Sequence, residues 1–415
     1  MASGTSAPVG EHLRELLSVR GLGEGETAAA VVDPRSSAQS ISFTFGFPDR
    51  GSLPNASVAE ATRRALERNP EWALQYGKTT GVPELADALL AKLRRDQGIV
   101  AGQENLIITA GGSQALQLVL DLLINPGDVI VCEAPTWMGF IDAVRNVHGR
   151  LVTVPVDDKG LVVDALDARL RELAAAGTRP KFVYVIPNFQ NPSGISTTVE
   201  RRRRIAQLAA EHGTLVLEDD AYHDLRYEGE HLPSIYTLDE SGHTMYLGTM
   251  SKIMGAGMRL GWLVANEEII RRMARLKTDG GTSIFGSYVA AEWIPMQLDA
   301  HIATLKEIYG RRRDVMLAAL AEHMPEGTTW THPEGGFFVW VTLPEGIDAT
   351  KMRPQARERG VEYLPGATCF ADGSGANTIR LSFSFATDEQ IVEGIRILSE
   401  VVRGDLLEAG RSDST

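Results

Sequence analysis

The chain has 415 residues, 43% of them hydrophobic and 23% charged, a composition typical of a globular protein with a large core and room for two domains. Its formal net charge of -13 argues against sequence-independent binding to nucleic acid, and its two cysteines argue against a disulfide framework. Because no secretory signal pattern and no apolar run long enough to cross a membrane are visible, we expect a soluble, cytoplasmic protein.

The first part of the chain predicts an N-terminal arm followed by two amphipathic helices. A short helical pattern lies within 11–20, and residues 1–57 are interpreted as an arm with a segment of a smaller domain. Helices are predicted from about 58 to 68 and over 83–98, because apolar residues recur there at helical spacing.

From 105 to about 290, short apolar segments alternate with helical patterns. The predicted strands lie in 105–110, 128–135, 182–187, 214–222, 244–252 and 261–265. Such alternation is typical of an α/β fold with a mainly parallel sheet, of the seven-stranded type, between helices on both faces. Residues 58–300 are therefore interpreted as a large domain that carries the binding site.

Beyond about 300 the pattern changes to a mixture of long helices and separate strands. A helix from about 300 to 323 precedes strands in 335–343 and 378–386, and a last helix covers roughly 388–403. We interpret 301–415 as a smaller α+β domain at the C-terminus.

Lys252 is the residue that says most about function. Asn191 stands in NPSG after one predicted strand, and Asp219 and Tyr222 stand in EDDAY after the next. An amine that forms a Schiff base with pyridoxal 5′-phosphate needs a carboxylate for the pyridinium nitrogen, donors for the ring oxygen and an arginine for the phosphate. Arg259, shortly after Lys252, completes this set. All these residues fall at the carboxyl ends of strands, where open α/β sheets bind their ligands.

A second group of residues suits the phosphate. Residues 111–114 follow a strand and open a helix, so their backbone N–H groups can hold an anion, although an ordinary glycine turn explains them equally well. Trp137, after another strand, can stack on the pyridine ring or belong to the core. The predicted cofactor contacts of this group are Gly112, Ser113, Gln114, Trp137, Thr249, Ser251 and Arg259.

Each residue also has an ordinary structural explanation when it is taken alone. Asn191 suits a turn, and the acids of EDDAY suit a helix cap. Together they favour cofactor chemistry. Asp219 is preferred to Asp220 as the partner of the ring nitrogen, because only one of two neighbours on a strand end can face the ring and the spacing to Tyr222 selects Asp219.

These motifs resemble the class I and II aminotransferases of fold type I, and most closely the group of 2-aminoadipate and kynurenine aminotransferases. The resemblance extends over about residues 40–402 and rests on QYGKTTGVPELADAL, GGSQAL, NPSG, EDDAY, SKIMGAGMRLGW and NTIRLSFS. It implies an enzyme that exchanges an amino group between an L-amino acid and a 2-oxo acid through a Schiff base on Lys252, with glutamate and 2-oxoglutarate as one pair.

The same resemblance implies roles for residues outside these strands. It matches Arg380 to the arginine that binds the substrate α-carboxylate, with Gly46 and Asn191 lining that pocket. It matches Tyr76 to a tyrosine that contacts the phosphate of the neighbouring subunit, which implies a homodimer with shared active sites. Lys252, Asp219 and Tyr222 are then the expected catalytic residues.

Other functions stay open on the sequence. The same scaffold supports amino-acid lyases, decarboxylases, cyclases and oxidases. A transcription regulator with an aminotransferase-like domain is disfavoured by the acidic charge and by the lack of a basic recognition helix, and the arginines of 201–204 are interpreted as the solvated face of a helix. The resemblance matches Arg14 to a lid arginine that binds acidic substrate side chains in some relatives, and the alternative is a solvated helix residue. No metal site is predicted.

The donor amino acid is not identified by these patterns. Phe43, Phe45, Phe47 and Phe285 suit an apolar substrate side chain, although any of them can belong to the core.

Overall fold

The computed structural model describes residues 15–18, 20–21 and 40–412, so Arg14 and half of the helical pattern predicted in 11–20 lie outside the described residues. The α-helices within these residues are α1 (Asn55–Arg68), α2 (Pro83–Gln97), α3 (Gly112–Leu123), α4 (Met138–Asn146), α5 (Val163–Ala175), α6 (Val199–His212), α7 (Ile235–Leu238), α8 (Glu267–Leu276), α9 (Ile284–His323), α10 (Ala349–Glu358) and α11 (Asp388–Ser412). The strands are β1 (Ile41–Ser42), β2 (Leu106–Thr109), β3 (Val129–Ala134), β4 (Arg150–Asp157), β5 (Gly160–Leu161), β6 (Phe182–Val185), β7 (Leu215–Asp219), β8 (Thr244–Thr249), β9 (Gly261–Val264), β10 (Thr329–Trp330), β11 (Phe338–Thr342), β12 (Val361–Glu362), β13 (Leu364–Pro365) and β14 (Thr378–Ser382).

The central sheet has eight strands in the order β2-β9-β8-β7-β6-β3-β4-β5. The strands from β4 through β3, β6 and β7 to β8 pair in parallel, whereas β9 is antiparallel to both β8 and β2. The predicted α/β fold with a mainly parallel sheet is confirmed. It has seven strands of four or more residues, and the two-residue β5 extends its edge.

Helices cover both faces of this sheet. Apolar residues of α3, α4 and α8 pack on one face, and those of α5 and α6 pack on the other. Because both faces are covered, every residue of β2, β6, β8 and β9 is buried, which is why these strands form continuous apolar runs in the sequence. Strand β4 was not predicted, because the partly exposed side chains near the sheet edge and Pro155 weaken its apolar pattern.

A second, antiparallel sheet has the order β10-β11-β14-β13. It packs with α9, α10 and α11 into the largest apolar core, which also takes in α1 and α2. Strand β1 pairs in parallel with β12, so the segment that follows β1 runs beside this second sheet.

Helix α9 begins at Ile284, well before the predicted start near 300. Its first half is buried on several sides, with Tyr288, Trp293 and Leu298 in the core, and it contains Pro295. A helix buried on several sides lacks the one-sided apolar stripe that predicts helices, and a proline normally signals a helix end. Both effects hid this half of the helix from the sequence pattern.

One arginine of the run 201–204 corrects the prediction of a solvated helix face. Arg202 is fully buried on α6. Its guanidinium donates hydrogen bonds to the carbonyls of Thr197 and Pro187 and to Asn188 Oδ1, at distances of 2.7 Å each. The side chain therefore ties the loop after β6 to the helix, while its neighbours in the run stay at or near the surface.

The described residues show neither a metal centre nor a membrane span. They contain no group of three or more side chains placed to hold a metal ion. Among their helices, none combines the length and the apolar character that crossing a membrane requires. Cys132 and Cys369 are both buried and unpaired, and burial raises the pKa of each thiol, as expected of inert core cysteines.

Candidate active site

The strand ends of the central sheet bring the predicted residues together. Asp219 is the last residue of β7 and pairs with Leu247 of β8, while Thr249 at the end of β8 lies opposite Gly261 of β9. Lys252 follows directly in a π-helical turn, Ser251–Gly255. Turns of this kind are rare and occur frequently at functional sites. The carboxyl edge of the sheet is therefore the candidate active site.

Lys252 contacts the segment that follows β1. Its Nζ donates a 2.9 Å hydrogen bond to the carbonyl of Gly46 and lies 5.7 Å from the ring centre of Tyr222. Removal from water lowers the pKa of the Lys252 ammonium to about 8, and the positive charge of Arg380 adds to the shift. A larger share of this amine is consequently neutral, and thus nucleophilic, than of an ordinary lysine at the same pH.

Arg380 is buried beside Asn191 with no counter-ion among the described residues. Its Nη1 donates to Asn191 Oδ1 at 2.8 Å, and its Nη2 donates to the carbonyl of Thr44 at 2.6 Å. The guanidinium carbon lies 4.2 Å from the ring centre of Phe338, and Nε is buried without a hydrogen-bond partner. Because an unpaired buried charge is costly, this arrangement suits an anionic ligand such as a carboxylate.

Gly46 lies on the segment that contacts both Lys252 and Arg380. A Cβ on Gly46 would come within 2.8 Å of the Phe338 ring, so the contact leaves no room for a side chain. The backbone of this segment thus supplies carbonyl acceptors to both Lys252 and Arg380, through Gly46 and Thr44.

Asp219 and Asp220 face different surroundings, as expected for neighbours at a strand end. Asp219 Oδ2 accepts a 2.7 Å hydrogen bond from the hydroxyl of Tyr184. Asp220 instead accepts hydrogen bonds from Asn188 Nδ2 at 2.8 Å and from the Tyr246 hydroxyl at 3.2 Å. Burial raises the pKa of Asp219 to about 6, which the hydrogen bond from Tyr184 opposes. Asp219 is the acid on the side of Lys252, whose charge also favours its ionised form.

An anion cradle lies where β2 and β8 end and β9 begins. The backbone of Gly111 has φ +79°, and a Cβ there would lie 2.7 Å from Nη2 of Arg259. The same Nη2 donates to the carbonyl of Ala110 at 2.9 Å. Thr249 Oγ1 donates to Ser251 Oγ at 2.9 Å, so two hydroxyls lie together at the end of β8. Backbone N–H groups at the start of a helix, hydroxyls and a guanidinium form a donor set for a phosphate.

The residues that open α3 have two different surroundings. Gly112 and Ser113 are its first residues, where backbone N–H groups lack helical acceptors. The side chain of Gln114 is engaged in the turn, since its Oε1 accepts from the N–H of Ala110 at 2.7 Å and its Nε2 donates to Asp279 at 3.3 Å. Gln114 therefore holds the shape of the cradle through its amide.

Trp137 and Tyr76 lie at the margins of the site in this chain. Trp137 immediately precedes α4, and its half-buried indole lies so close to Gly139 that a Cβ there would be 2.5 Å away. Tyr76 is 81% exposed and rests against Gly280, where a Cβ would be 3.0 Å from its ring. The chain by itself does not bring Tyr76 to Lys252.

Sequence reasoning missed Tyr184, Phe337 and Phe338. Tyr184 lies in the apolar strand β6, and its hydroxyl was the available signal, because a buried hydroxyl needs a partner. Phe337 has its ring centre 5.8 Å from Lys252 Nζ. No motif marked this phenylalanine, since aromatic residues in a core strand are ordinary.

Comparison with known proteins decides the family. The family model described as aminotransferase class I and II matches residues 40–398. The chain belongs to this family. The resemblance found in the sequence motifs is thereby confirmed.

Relatives of this aminotransferase place it within the family. The chain is 41% identical over 369 residues to aromatic-amino-acid aminotransferase 1 of Thermococcus litoralis, covering 88% of each protein. The structure of kynurenine aminotransferase from Pyrococcus horikoshii has a TM-score of 0.91 at 38% identity, over 95% of this chain and 99% of that one. LysN, the α-aminoadipate aminotransferase of Thermus thermophilus, has a TM-score of 0.86 at 32% identity over 95% and 99%, and its structure is complexed with N-(5′-phosphopyridoxyl)-L-leucine.

The expected cofactor and reaction are supported by these matches. This aminotransferase uses pyridoxal 5′-phosphate and exchanges an amino group between an amino acid and a 2-oxo acid. The donor set of the site fits that cofactor: a partly buried amine with a lowered pKa, a buried acid at the neighbouring strand end and an anion cradle with Arg259.

Proposed function

We propose that this aminotransferase transfers the amino group of L-amino acids with large apolar, chiefly aromatic, side chains to 2-oxoglutarate. The observation that carries the substrate class is an aromatic wall on the segment that contacts Lys252. The wall consists of Phe45, Phe47 and Phe385. The name of the Thermococcus litoralis relative, an aromatic-amino-acid aminotransferase, supports the same class.

The aromatic wall lies next to the carbonyls that bind Lys252 and Arg380. The rings of Phe45 and Phe47 stack with centroids 4.8 Å apart, and Phe385 meets Phe45 edge-on at 6.0 Å. All three are partly exposed, whereas Phe43 is fully buried and belongs to the core. A substrate ring placed here can stack on apolar surface while its α-carboxylate reaches Arg380.

Arg50 provides a cation at the edge of the wall. Its guanidinium lies 4.3 Å from the ring centre of Phe385 and makes no hydrogen bond or ion pair to any residue that the structure describes. The side chain is exposed, so it can bind the distal carboxylate of 2-oxoglutarate without giving up a partner. One site can then accept an aromatic donor and a dicarboxylate acceptor in turn.

We assign the chemistry to five side chains. Lys252 attaches the cofactor and moves the proton at the substrate Cα. Asp219 pairs with the ring nitrogen, and Arg380 orients the substrate by its α-carboxylate. Asn191 accepts from Arg380 through Oδ1, which leaves Nδ2 to donate to the ring oxygen, as the hydroxyl of Tyr222 also does. When bound, pyridoxal phosphate supplies the aldehyde that receives the amino group and a ring that withdraws electrons.

The remaining cofactor contacts follow from the cradle. We assign the phosphate to the backbone of Gly112 and Ser113, the hydroxyls of Thr249 and Ser251, and the guanidinium of Arg259, with Gln114 supporting the turn and Trp137 beside the ring.

The donor class is tested by a panel of amino acids against 2-oxoglutarate, scored by kcat/KM, in the native protein and in Phe47→Ala. We expect phenylalanine and tyrosine to be preferred, and the substitution to lower their kcat/KM by about 10-fold to 100-fold, since lost apolar contact is worth roughly 1–3 kcal/mol. L-Alanine serves as the control donor, because it does not reach the wall. Equal losses for alanine and phenylalanine would place the aromatic pocket elsewhere.

The same panel separates transamination from the other reactions of this scaffold. A lyase releases ammonia from the donor without any 2-oxo acid, whereas a transaminase needs the acceptor. We expect no ammonia above background when 2-oxoglutarate is omitted. The cytoplasmic location expected from the sequence stays a prediction.

We further propose a homodimer in which Tyr76 contacts the phosphate in the partner's site. Trp72, Leu74 and Tyr76 are 59%, 79% and 81% exposed and form an apolar stretch unusual for a free surface. In a mixture of Lys252→Ala and Tyr76→Ala dissociated and reassociated together, half of the dimers are hybrids with one intact site. We expect about a quarter of native activity from this mixture, because a two-fold interface exchanges the same residues in both directions.

Homogeneous preparations of each variant, taken through the same dissociation, are the controls for this complementation. Mixed activity no greater than the sum of the two parents would show that Tyr76 serves its own subunit or no site.

A further inference from the structure

A buried tyrosine reaches Asp219 from the neighbouring strand. Tyr184 of β6 is fully buried, and its hydroxyl donates to Asp219 Oδ2 at 2.7 Å. Its ring stacks on Phe140 of α4 with centroids 3.7 Å apart and the planes nearly parallel. A tyrosine held by this stack presents its hydroxyl in one orientation, so the direction of Asp219 is set by packing as well as by the hydrogen bond.

The charge around Asp219 makes this hydrogen bond important. The titratable groups that face it are Tyr184 of β6, Glu133 of β3, Lys252 after β8 and Asp220, the residue that follows it directly after β7. Burial raises the pKa of Glu133 to about 8, so that group is largely uncharged at neutral pH. Tyr184 is thus a neutral side-chain donor that stabilises the ionised form of Asp219, alongside the backbone N–H of Ala221 and the charge of Lys252.

We propose that Tyr184 is a positioning residue for amino transfer: it keeps Asp219 ionised and turned so that Oδ1 faces the ring nitrogen of the cofactor. This inference rests on the role proposed above for Asp219. An ionised Asp219 keeps the ring nitrogen protonated, and a protonated ring withdraws electrons more strongly. A protonated Asp219 cannot do so, because it carries no charge to stabilise the pyridinium.

The test replaces Tyr184 by phenylalanine, which keeps the ring stacked on Phe140 and removes the hydroxyl alone. In the holoenzyme we expect kcat to fall about twofold at pH 7 and up to about 10-fold well below pH 6, because a rise of the Asp219 midpoint by about one pH unit lowers the ionised fraction by these factors. The acid limb of the kcat–pH profile should move to higher pH, and the loss should shrink at alkaline pH. KM for the amino acid should stay within about twofold, because Arg380 is untouched.

A second readout does not involve turnover. In apoprotein labelled with ¹³C at the aspartate carboxyl carbons, the Asp219 resonance, assigned through its loss in Asp219→Asn, should titrate with a midpoint of about 6. In Tyr184→Phe we expect that midpoint to rise by about one pH unit, because the ionised form has lost its donor.

Tyr246→Phe is the matched control. Tyr246 is equally buried, and its hydroxyl donates to the adjacent acid, Asp220, at 3.2 Å. Its removal should leave the acid limb of kcat and the Asp219 titration unchanged. The proposal is wrong if Tyr184→Phe keeps the native acid limb and Asp219 midpoint, or if Tyr246→Phe moves both equally.

Failure of the proposed function has a different signature. If Asp219→Asn retains native kcat, Asp219 does not have the role in amino transfer that is proposed for it. This conclusion does not depend on the effect of Tyr184→Phe on the carboxyl titration.

Discussion

Replacing Lys252 by alanine is expected to lower turnover by at least about 10⁴-fold, because the variant loses both the covalent attachment of the cofactor and the group that moves the proton. The amine lies at the end of β8 beside Gly46, and no other described lysine contacts that carbonyl. The measurement is steady-state activity, together with mass spectrometry after borohydride reduction. The native chain should keep the cofactor mass on the peptide that contains Lys252, and the variant should not.

Lys351→Ala is the control for this substitution, since the Lys351 side chain is 84% exposed and its one ion pair among the described residues is with Asp348, just before its helix. It should keep native activity and covalent cofactor. Folding of Lys252→Ala is checked by its circular dichroism and melting curve. Covalent cofactor retained in a folded Lys252→Ala would assign the attachment to another amine.

Replacing Arg380 by lysine is expected to raise KM for the amino acid and to lower kcat/KM by about 100-fold, which corresponds to roughly 3 kcal/mol. Arg380 presents a planar fork of donors in a buried place, and a lysine ammonium offers a single point of charge. Arg380→Ala should lower kcat/KM further than Arg380→Lys does, because the substrate carboxylate then has no cation to bind. Initial rates over a range of donor concentrations measure both variants.

The matched control is Arg313→Lys. Arg313 is also buried, but it donates to Glu228 Oε1 at 2.6 Å and to the carbonyl of Pro333 at 3.0 Å, away from the site. We expect this variant to melt at a lower temperature with KM unchanged. If Arg380→Lys binds amino acids as tightly as the native protein does, the α-carboxylate lies somewhere else.

The sequence predicts the sheet well because its strands are short and apolar and are followed by polar residues with expected functional roles. Both faces of β6, β7 and β8 are covered, so their apolar runs are continuous, and polar residues begin where each strand stops. Strand end and functional residue coincide at Asp219 and Thr249, and this is why residues far apart in the chain could be grouped before any coordinates were known.

Such sequence patterns do not predict contacts between individual side chains. The stack of Phe45 on Phe47 and the bond from Tyr184 to Asp219 depend on rotamers and on the approach of separate elements. Arg202 is an example in which the sequence pattern gave a wrong prediction. A run of arginines predicts a solvated surface, and only the packing of the loop after β6 reveals that one of them is enclosed by carbonyl acceptors.

The pairing of β1 with β12 has a consequence for how the enzyme is made. Ile41 pairs with Val361 between the two strands. The carbonyls of Thr44 and Gly46, which follow β1, accept hydrogen bonds from Arg380 and Lys252. A nascent polypeptide still on the ribosome before residue 361 has no partner for this early segment. Maturation into a working catalyst must therefore wait until residues 361 and 362 of β12 have been synthesised, although the sheet that bears Lys252 emerges long before.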